Sequence, residues 1–105
     1  MIKHIDEKDF GSEVLKNDKL CVVDFYATWC GPCQMLAPVV EEVSEVLGEK
    51  VCFYKVDIDK NSDLAIKYDV EVVPTLVYFK NANIVKTEAG YKNGEELKNV
   101  IEELI

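Results

Sequence analysis

An apolar run that leads into a pair of cysteines is the feature that most restricts the fold of this chain. Residues 20–27 are strand-forming and apolar apart from Asp24, a pattern typical of a central strand buried on both faces. The motif Trp29-Cys30-Gly31-Pro32-Cys33 follows, and apolar residues then recur at helical spacing over residues 32–47. The sequence therefore predicts a strand-to-helix junction that carries two thiols one helical turn apart, close enough to close a small disulfide ring.

The remaining periodicity predicts that strands and helices alternate along the chain. Further strands are expected at residues 2–6, 51–58, 75–79 and 84–89, and further helices at residues 7–17, 62–68 and after Asn93. Asn61 and Asn93 are expected to cap the last two helices, and Glu96 completes a capping box with Asn93. The order β-α-β-α-β-α-β-β-α predicts a mixed sheet with helices on both faces.

Length, composition and charge exclude several classes of protein. The 105 residues are enough for one domain, 1–105, and the hydrophobic content of 49% argues against disorder. A formal charge of -8 without a Lys/Arg cluster argues against nucleic acid as a partner. No apolar stretch approaches the ~18 to 20 residues that span a bilayer, so no membrane partner is expected. The N-terminus carries no export signal, and we therefore expect a cytoplasmic protein.

Other segments accompany the cysteine motif at a distance along the chain. They are residues 22–28, Lys55-Val56-Asp57, Val73-Pro74-Thr75, Phe79-Lys80-Asn81 and Gly90. With the motif, they make the chain similar to the thioredoxin family over nearly its whole length. The resemblance implies an α/β thioredoxin fold, with a central mixed sheet flanked by four helices, and an enzyme that reduces protein disulfides. Tyr26, Gln34 and Ala82 stand where many members of that family carry Trp, Lys and Gly.

The two cysteines of the motif are the candidate redox groups. A helix N-terminus stabilises negative charge, so Cys30 is expected to be partly exposed and to attack as a thiolate. Cys33 would then attack Cys30 and release the reduced client. Pro32 is tolerated in a first helical turn, and the resemblance implies that Gly31-Pro32 tunes the pair as a reductant. The alternative, a zinc half-site, needs two further ligands, and we expect no metal.

Asp24 and Lys55 are candidate proton-handling residues. Apolar flanks predict a desolvated Asp24 carboxylate with a raised pKa. The resemblance implies that Asp24 takes the proton of Cys33 and that Lys55 modulates this carboxylate. The alternatives are an exposed Asp24 at a strand end and a Lys55 that is simply solvated.

The resemblance also implies a shallow, mostly apolar patch beside the dithiol as the site for client proteins. It consists of Trp29, Pro32, Val73, Pro74, Ala89 and Gly90. The resemblance implies a cis Val73–Pro74 bond that leaves the backbone of Val73 free to pair with an extended client. For Gly90, an ordinary turn after a strand explains the glycine equally well.

The resemblance also implies how the pair is recharged. Disulfide-containing client proteins would be reduced, and a thioredoxin reductase that uses NADPH through a flavin, or ferredoxin, would restore the dithiol. We expect a monomer without a cofactor of its own. Cys21 and Cys52 are expected as core residues, with a disulfide between them as the alternative. Two competing functions stay open: an oxidase or isomerase of secreted proteins, and a binding subunit that does not use its thiols.

Overall fold

A five-stranded mixed sheet forms the centre of the computed structural model, which describes all 105 residues. The strands are β1 (Ile2–His4), β2 (Leu20–Tyr26), β3 (Val51–Asp57), β4 (Thr75–Lys80) and β5 (Asn83–Ala89). Their spatial order is β1-β3-β2-β4-β5; β1 and β2 run parallel to β3, whereas β4 is antiparallel to both β2 and β5. The central position of β2 accounts for its continuous apolar sequence.

Four α-helices flank this sheet, and the predicted α/β fold is confirmed. They are α1 (Glu7–Phe10), α2 (Gly31–Leu47), α3 (Ser62–Lys67) and α4 (Gly94–Leu104). α1 continues directly into a π-helical segment (Gly11–Leu15), in which the N–H of Lys16 donates to the Gly11 carbonyl at 3.0 Å. The helix predicted at residues 7–17 is therefore shorter and partly π-helical. None of the helices has the length and hydrophobicity that crossing a membrane requires.

The alternation of side chains along β2 creates a separate core on each face of the sheet. Val23 and Phe25 pack on one face with residues of α1 and α3, including Phe10 and Leu64. Leu20 and Val22 pack on the other face with α2 and α4, whose buried residues are Leu36, Val40, Val43, Leu97 and Ile101. Both faces of β2 are therefore dry from Leu20 to Phe25, so the carboxylate of Asp24 lies out of contact with solvent.

The two predicted asparagine caps have different outcomes. Asn93 accepts a hydrogen bond from the Glu96 N–H at 2.8 Å, and its own N–H donates to Glu96 Oε1 at 3.1 Å, which confirms the capping box. Asn61 precedes α3, but its side chain makes no cap bond there, so that prediction is wrong. Instead, Asn61 accepts from the Glu7 N–H at 2.9 Å and donates to Asp6 at 3.1 Å. Its side chain holds the start of α1.

A tight turn at Asn81 and Ala82 joins β4 to β5. Both residues have positive φ angles, 51° and 68°, as type I′ hairpin turns require. Asn tolerates this left-handed conformation, whereas the Cβ of Ala crowds the backbone there at a cost of roughly 1–2 kcal/mol. Ala82 is therefore a strained position in the hairpin.

Replacing Ala82 with Gly is expected to stabilise the protein by about 1 kcal/mol, because glycine adopts the left-handed conformation without a steric penalty. Equilibrium urea denaturation measures the difference. Ala89→Gly in the neighbouring strand is the matched control, and it should lower stability because the residue is extended. A loss of stability in Ala82→Gly would contradict the assignment of strain to this turn.

Candidate active site

Cys30 and Cys33 form a disulfide across the first turn of α2. Their Cα atoms are 5.2 Å apart, and Cys30 occupies the N-cap position directly before Gly31. The backbone N–H of Cys33 donates to Cys30 Sγ at 3.2 Å. Pro32 lies in the first helical turn, where the missing N–H costs nothing. Once the disulfide opens, the N-terminal dipole and this N–H stabilise negative charge on the Cys30 sulfur.

Both cysteines are less accessible than the sequence predicts. Cys30 is 5% exposed and Cys33 is 3% exposed, so the expectation of a partly exposed Cys30 is wrong for the disulfide state. Ala27 packs with the two cysteines, and Ile58 and Val73 lie against them from neighbouring connections. The position of each sulfur relative to the helix start, and not its exposure, is therefore what distinguishes the two residues here.

The connection that precedes β4 lies directly beside Cys30. The Val73–Pro74 peptide bond is cis, as the resemblance implies, and the Val73 carbonyl oxygen is 3.6 Å from Cys30 Sγ. Gly90 donates its N–H to the Pro74 carbonyl at 2.8 Å with a φ of 92°. Only glycine adopts this backbone conformation readily, so Gly90 ties the end of β5 to the active-site loop as well as forming a turn.

Trp29 projects into solvent beside the disulfide. Its side chain is 68% exposed, and its indole Nε1 donates to Asp59 Oδ2 at 2.8 Å. The N–H of Asp59 in turn donates to Asp57 Oδ1 at 2.9 Å. Sequence reasoning missed Asp59. The sequence signal that could have identified Asp59 is its place just after β3. The carboxyl ends of the parallel strands β3 and β2 lie at the same edge of the sheet.

Gln34 fixes the strand-to-helix connection from the exposed side of α2. Its Nε2 donates to the Thr28 carbonyl at 3.1 Å. The sequence identified Gln34 only as a position without the usual positive charge. The contact shows that the amide also holds the backbone that leads into the motif.

As predicted, Asp24 is completely buried, which excludes the exposed alternative. Neither of its carboxylate oxygens has a hydrogen-bond partner. Burial raises the pKa of Asp24 to about 6, and the positive charge of Lys55, its register partner on β3, opposes part of that rise. An unpaired buried carboxylate has an unusually high affinity for a proton, which equips it for proton transfer near neutral pH.

Lys55 is half-buried and has a defined contact. Its Nζ lies 4.5 Å from the centroid of the Tyr26 ring, which is consistent with a cation–π interaction. Tyr26, Lys55, Cys33 and Gln34 share the lining of a hollow of about 220 Å³. The cross-strand neighbour of Asp24 and the second cysteine therefore open onto the same space. Sequence reasoning treated Tyr26 only as an aromatic replacement and missed this contact.

The other two cysteines lie away from this site, at the start of β2 and β3. Cys21 is buried and Cys52 is half-buried, and both are free thiols. No group of three or more His, Cys, Asp or Glu side chains is placed so that it could hold a metal ion. The site therefore consists of the disulfide, the buried carboxylate with its lysine, and the patch beside the disulfide, in which Pro74 is buried and the other residues are exposed or half-buried.

Ionisation of Asp24 should destabilise the folded protein, because its folded pKa of about 6 exceeds the unfolded value of ~3.9. Below about pH 4 the carboxyl group is neutral in both states and contributes nothing. The penalty grows as the pH rises to about 6 and is complete above it, at about 3 kcal/mol.

We therefore compare the free energy of unfolding of Asp24→Asn with that of the parent at two pH values. The difference in favour of the variant should be about 3 kcal/mol larger at about pH 8 than at about pH 4. Any cost of burying the amide is the same at both pH values and cancels. Urea denaturation of the disulfide forms measures this, with the exposed Glu102→Gln as the control for loss of one negative charge. An equal stability difference at both pH values would show that the pKa of Asp24 is the same in the folded and the unfolded protein, and would refute the raised pKa.

Comparison with known proteins agrees with this geometry. The thioredoxin family model matches residues 1–103. Thioredoxin of Listeria monocytogenes is 40% identical over 105 residues, which cover all of both chains. Thioredoxin of Bacillus subtilis is 38% identical over 95 residues, which cover 90% of this chain and 89% of the relative. Mitochondrial thioredoxin of Bos taurus is 41% identical over 100 residues, 95% of this chain and 60% of the relative. The chain belongs to the thioredoxin family of thiol–disulfide oxidoreductases, and Cys30 and Cys33 are its redox couple.

Proposed function

We propose that Cys30 is the nucleophile that attacks disulfides of client proteins and that Cys33 is the resolving cysteine. The observation that carries this assignment is the position of Cys30 at the N-cap of α2, with the Cys33 N–H directed at its sulfur. The Cys30 thiolate attacks one client sulfur, and the other client sulfur leaves as a thiolate. Cys33 then attacks Cys30, the mixed disulfide breaks, and the client leaves with two electrons from the pair.

Asp24 accepts the proton that Cys33 must lose in the second step. It is the only buried residue of the chain with a formally charged side chain, and it lies on the strand that leads to the motif. Lys55 modulates this transfer, because its charge acts on Asp24 and its side chain lines the hollow that Cys33 also lines.

Client proteins bind at the patch of Trp29, Pro32, Val73, Pro74, Ala89 and Gly90. Trp29 supplies a large exposed aromatic surface. No internal backbone hydrogen bond uses the N–H of Val73, and its carbonyl lies 3.6 Å from Cys30 Sγ. An extended client segment that pairs with Val73 would bring its disulfide next to the attacking sulfur. Gly31 and Pro32 are exposed and bring no charge to the approach to the ring.

Each turnover leaves a Cys30–Cys33 disulfide, so an external two-electron donor is required. We assign this step to a thioredoxin reductase that draws on NADPH through a flavin or on ferredoxin. One chain carries the complete site, which is consistent with a monomer. A cytoplasmic location is consistent with Cys21 and Cys52 remaining free thiols.

Substituting each cysteine separately tests the assignment of roles. Cys33→Ser should still attack an oxidised client, such as insulin, and accumulate a covalent complex that dithiothreitol dissolves. Cys30→Ser should form no complex, and turnover should fall to background in both variants. Non-reducing electrophoresis decides the matter, with the double variant as the control. Trapping by Cys30→Ser alone would reverse the roles and refute the helix-terminus argument.

Removing the buried carboxylate should slow resolution of the mixed disulfide. In Asp24→Asn, release of the client near pH 7 should fall by roughly tenfold to a hundredfold, because the general base is gone. The defect should shrink at higher pH, where solvent hydroxide ionises Cys33. Stopped-flow measurement of client release across the pH range tests this, with Glu102→Gln as the charge control. Unchanged release rates would leave Asp24 with a structural role only.

A further inference from the structure

Cys21 and Cys52 face each other across two adjacent parallel strands. They are register partners on β2 and β3, at the amino-terminal end of the pair and opposite the end that carries the active site. Neighbouring strands are about 4.8 Å apart, which lies within the Cα separation that a disulfide spans. Both side chains belong to the same core face, with the π-helical segment packed over it. The two sulfurs are therefore neighbours on one side of the sheet.

The two thiols differ sharply in their surroundings. Cys21 is fully buried, and both burial and the adjacent Cys52 thiol raise the pKa of Cys21 to about 12. Cys52 is half-buried, and its sulfur accepts a hydrogen bond from Asn17 Nδ2 at 3.3 Å. Cys52 thus keeps part of its surface exposed beside a polar group, while Cys21 lies fully buried next to it. This arrangement provides an accessible thiol with a second thiol positioned to trap its oxidised form.

We infer that Cys21 and Cys52 form a second dithiol–disulfide couple, independent of Cys30 and Cys33, that is oxidised by small hydroperoxides. The first step takes place at Cys52. Its sulfur attacks the terminal oxygen of the hydroperoxide, the O–O bond breaks, the alcohol or water leaves, and Cys52 becomes a sulfenic acid. In the second step the Cys21 sulfur attacks Cys52, the S–O bond breaks, and the S–S bond forms. The proton of Cys21 leaves with the hydroxyl group as water, so the two sulfurs together supply two electrons.

The environment of Cys52 selects the class of oxidant. Leu15 and Cys52 pack against the same core, and Asn17 Nδ2 lies 3.3 Å from the Cys52 sulfur. A protein disulfide must bring a bulky chain in line with the attacking sulfur, and this cover obstructs that approach. A hydroperoxide needs only room for two oxygen atoms. The weak acidity of Cys21 makes the closure step slow, and its rate should increase with pH.

The test uses the full-length double variant Cys30→Ser/Cys33→Ser, in which Cys21 and Cys52 are the only thiols. After treatment with hydrogen peroxide, the peptides that carry Cys21 and Cys52 should be joined, with a mass two hydrogens below their sum, and both thiols should disappear from titration under denaturing conditions. Dithiothreitol should restore both. Adding Cys52→Ser to this background is the matched control, because the remaining buried Cys21 should keep its thiol. Circular dichroism verifies that each variant is folded.

Three results would overturn the inference. The first is addition of oxygen to Cys52 while Cys21 stays titratable, and the second is dimerisation through Cys52. The third is the absence of any reaction with peroxide while the denatured chain does react. A parallel incubation with oxidised insulin should leave both thiols intact, and oxidation at a rate matching that of peroxide would refute the proposed selectivity for small oxidants. These outcomes do not depend on the roles assigned to Cys30 and Cys33.

Discussion

β2 pairs with a parallel strand on one side and with an antiparallel strand on the other. This pairing determines where the reactive groups of the protein lie. The parallel neighbour β3 sets Lys55 opposite Asp24 and brings Asp59 to the edge at which Trp29 emerges. The antiparallel neighbour β4 pairs Thr75 with Phe25, so that β4 begins where β2 ends. The Val73–Pro74 connection therefore reaches the disulfide, although more than forty residues separate Val73 from Cys30.

The same central position makes Asp24 both costly and useful. Core packing on both faces of β2 removes water from the carboxylate, and no hydrogen bond replaces that water. The ionised form of Asp24 is therefore destabilised. The raised pKa of this carboxyl group brings its protonation into the pH range in which a thiol must lose a proton. A hydrogen-bonded Asp24 would stabilise the fold and hold its proton too weakly for this purpose. Stability and chemistry make opposite demands on this one side chain.

The two ends of the same sheet show how much the surroundings determine the behaviour of a cysteine. At one end the sulfur of Cys30 receives a backbone N–H at the start of a long helix, which favours a reactive thiolate. At the other end Cys21 is surrounded by apolar side chains and its pKa is raised to about 12. No helix begins at Cys21 or Cys52. We therefore expect the two pairs of cysteines to differ in reactivity, because one pair lies at a helix N-terminus and the other in a core.

Features that depend on residues close together in the chain were readable from the sequence. The strand–motif–helix unit, the capping box of Asn93 and Glu96, and the burial of Asp24 all follow from local periodicity and spacing. The contacts of Asn61 with Glu7 and of Trp29 with Asp59 did not, since each joins residues at least 30 positions apart. The placement of Val73 beside Cys30 was expected only from the family resemblance. The near-complete burial of Cys30 has the same origin, because Ile58 and Val73 reach it only after the strands pair. Sequence alone located the two redox cysteines, through a motif between a strand and a helix, and the family resemblance supplied the roles that we propose for the other site residues. Tertiary structure decided their accessibility, partners and charge state, because these depend on which distant segments exclude water from each group.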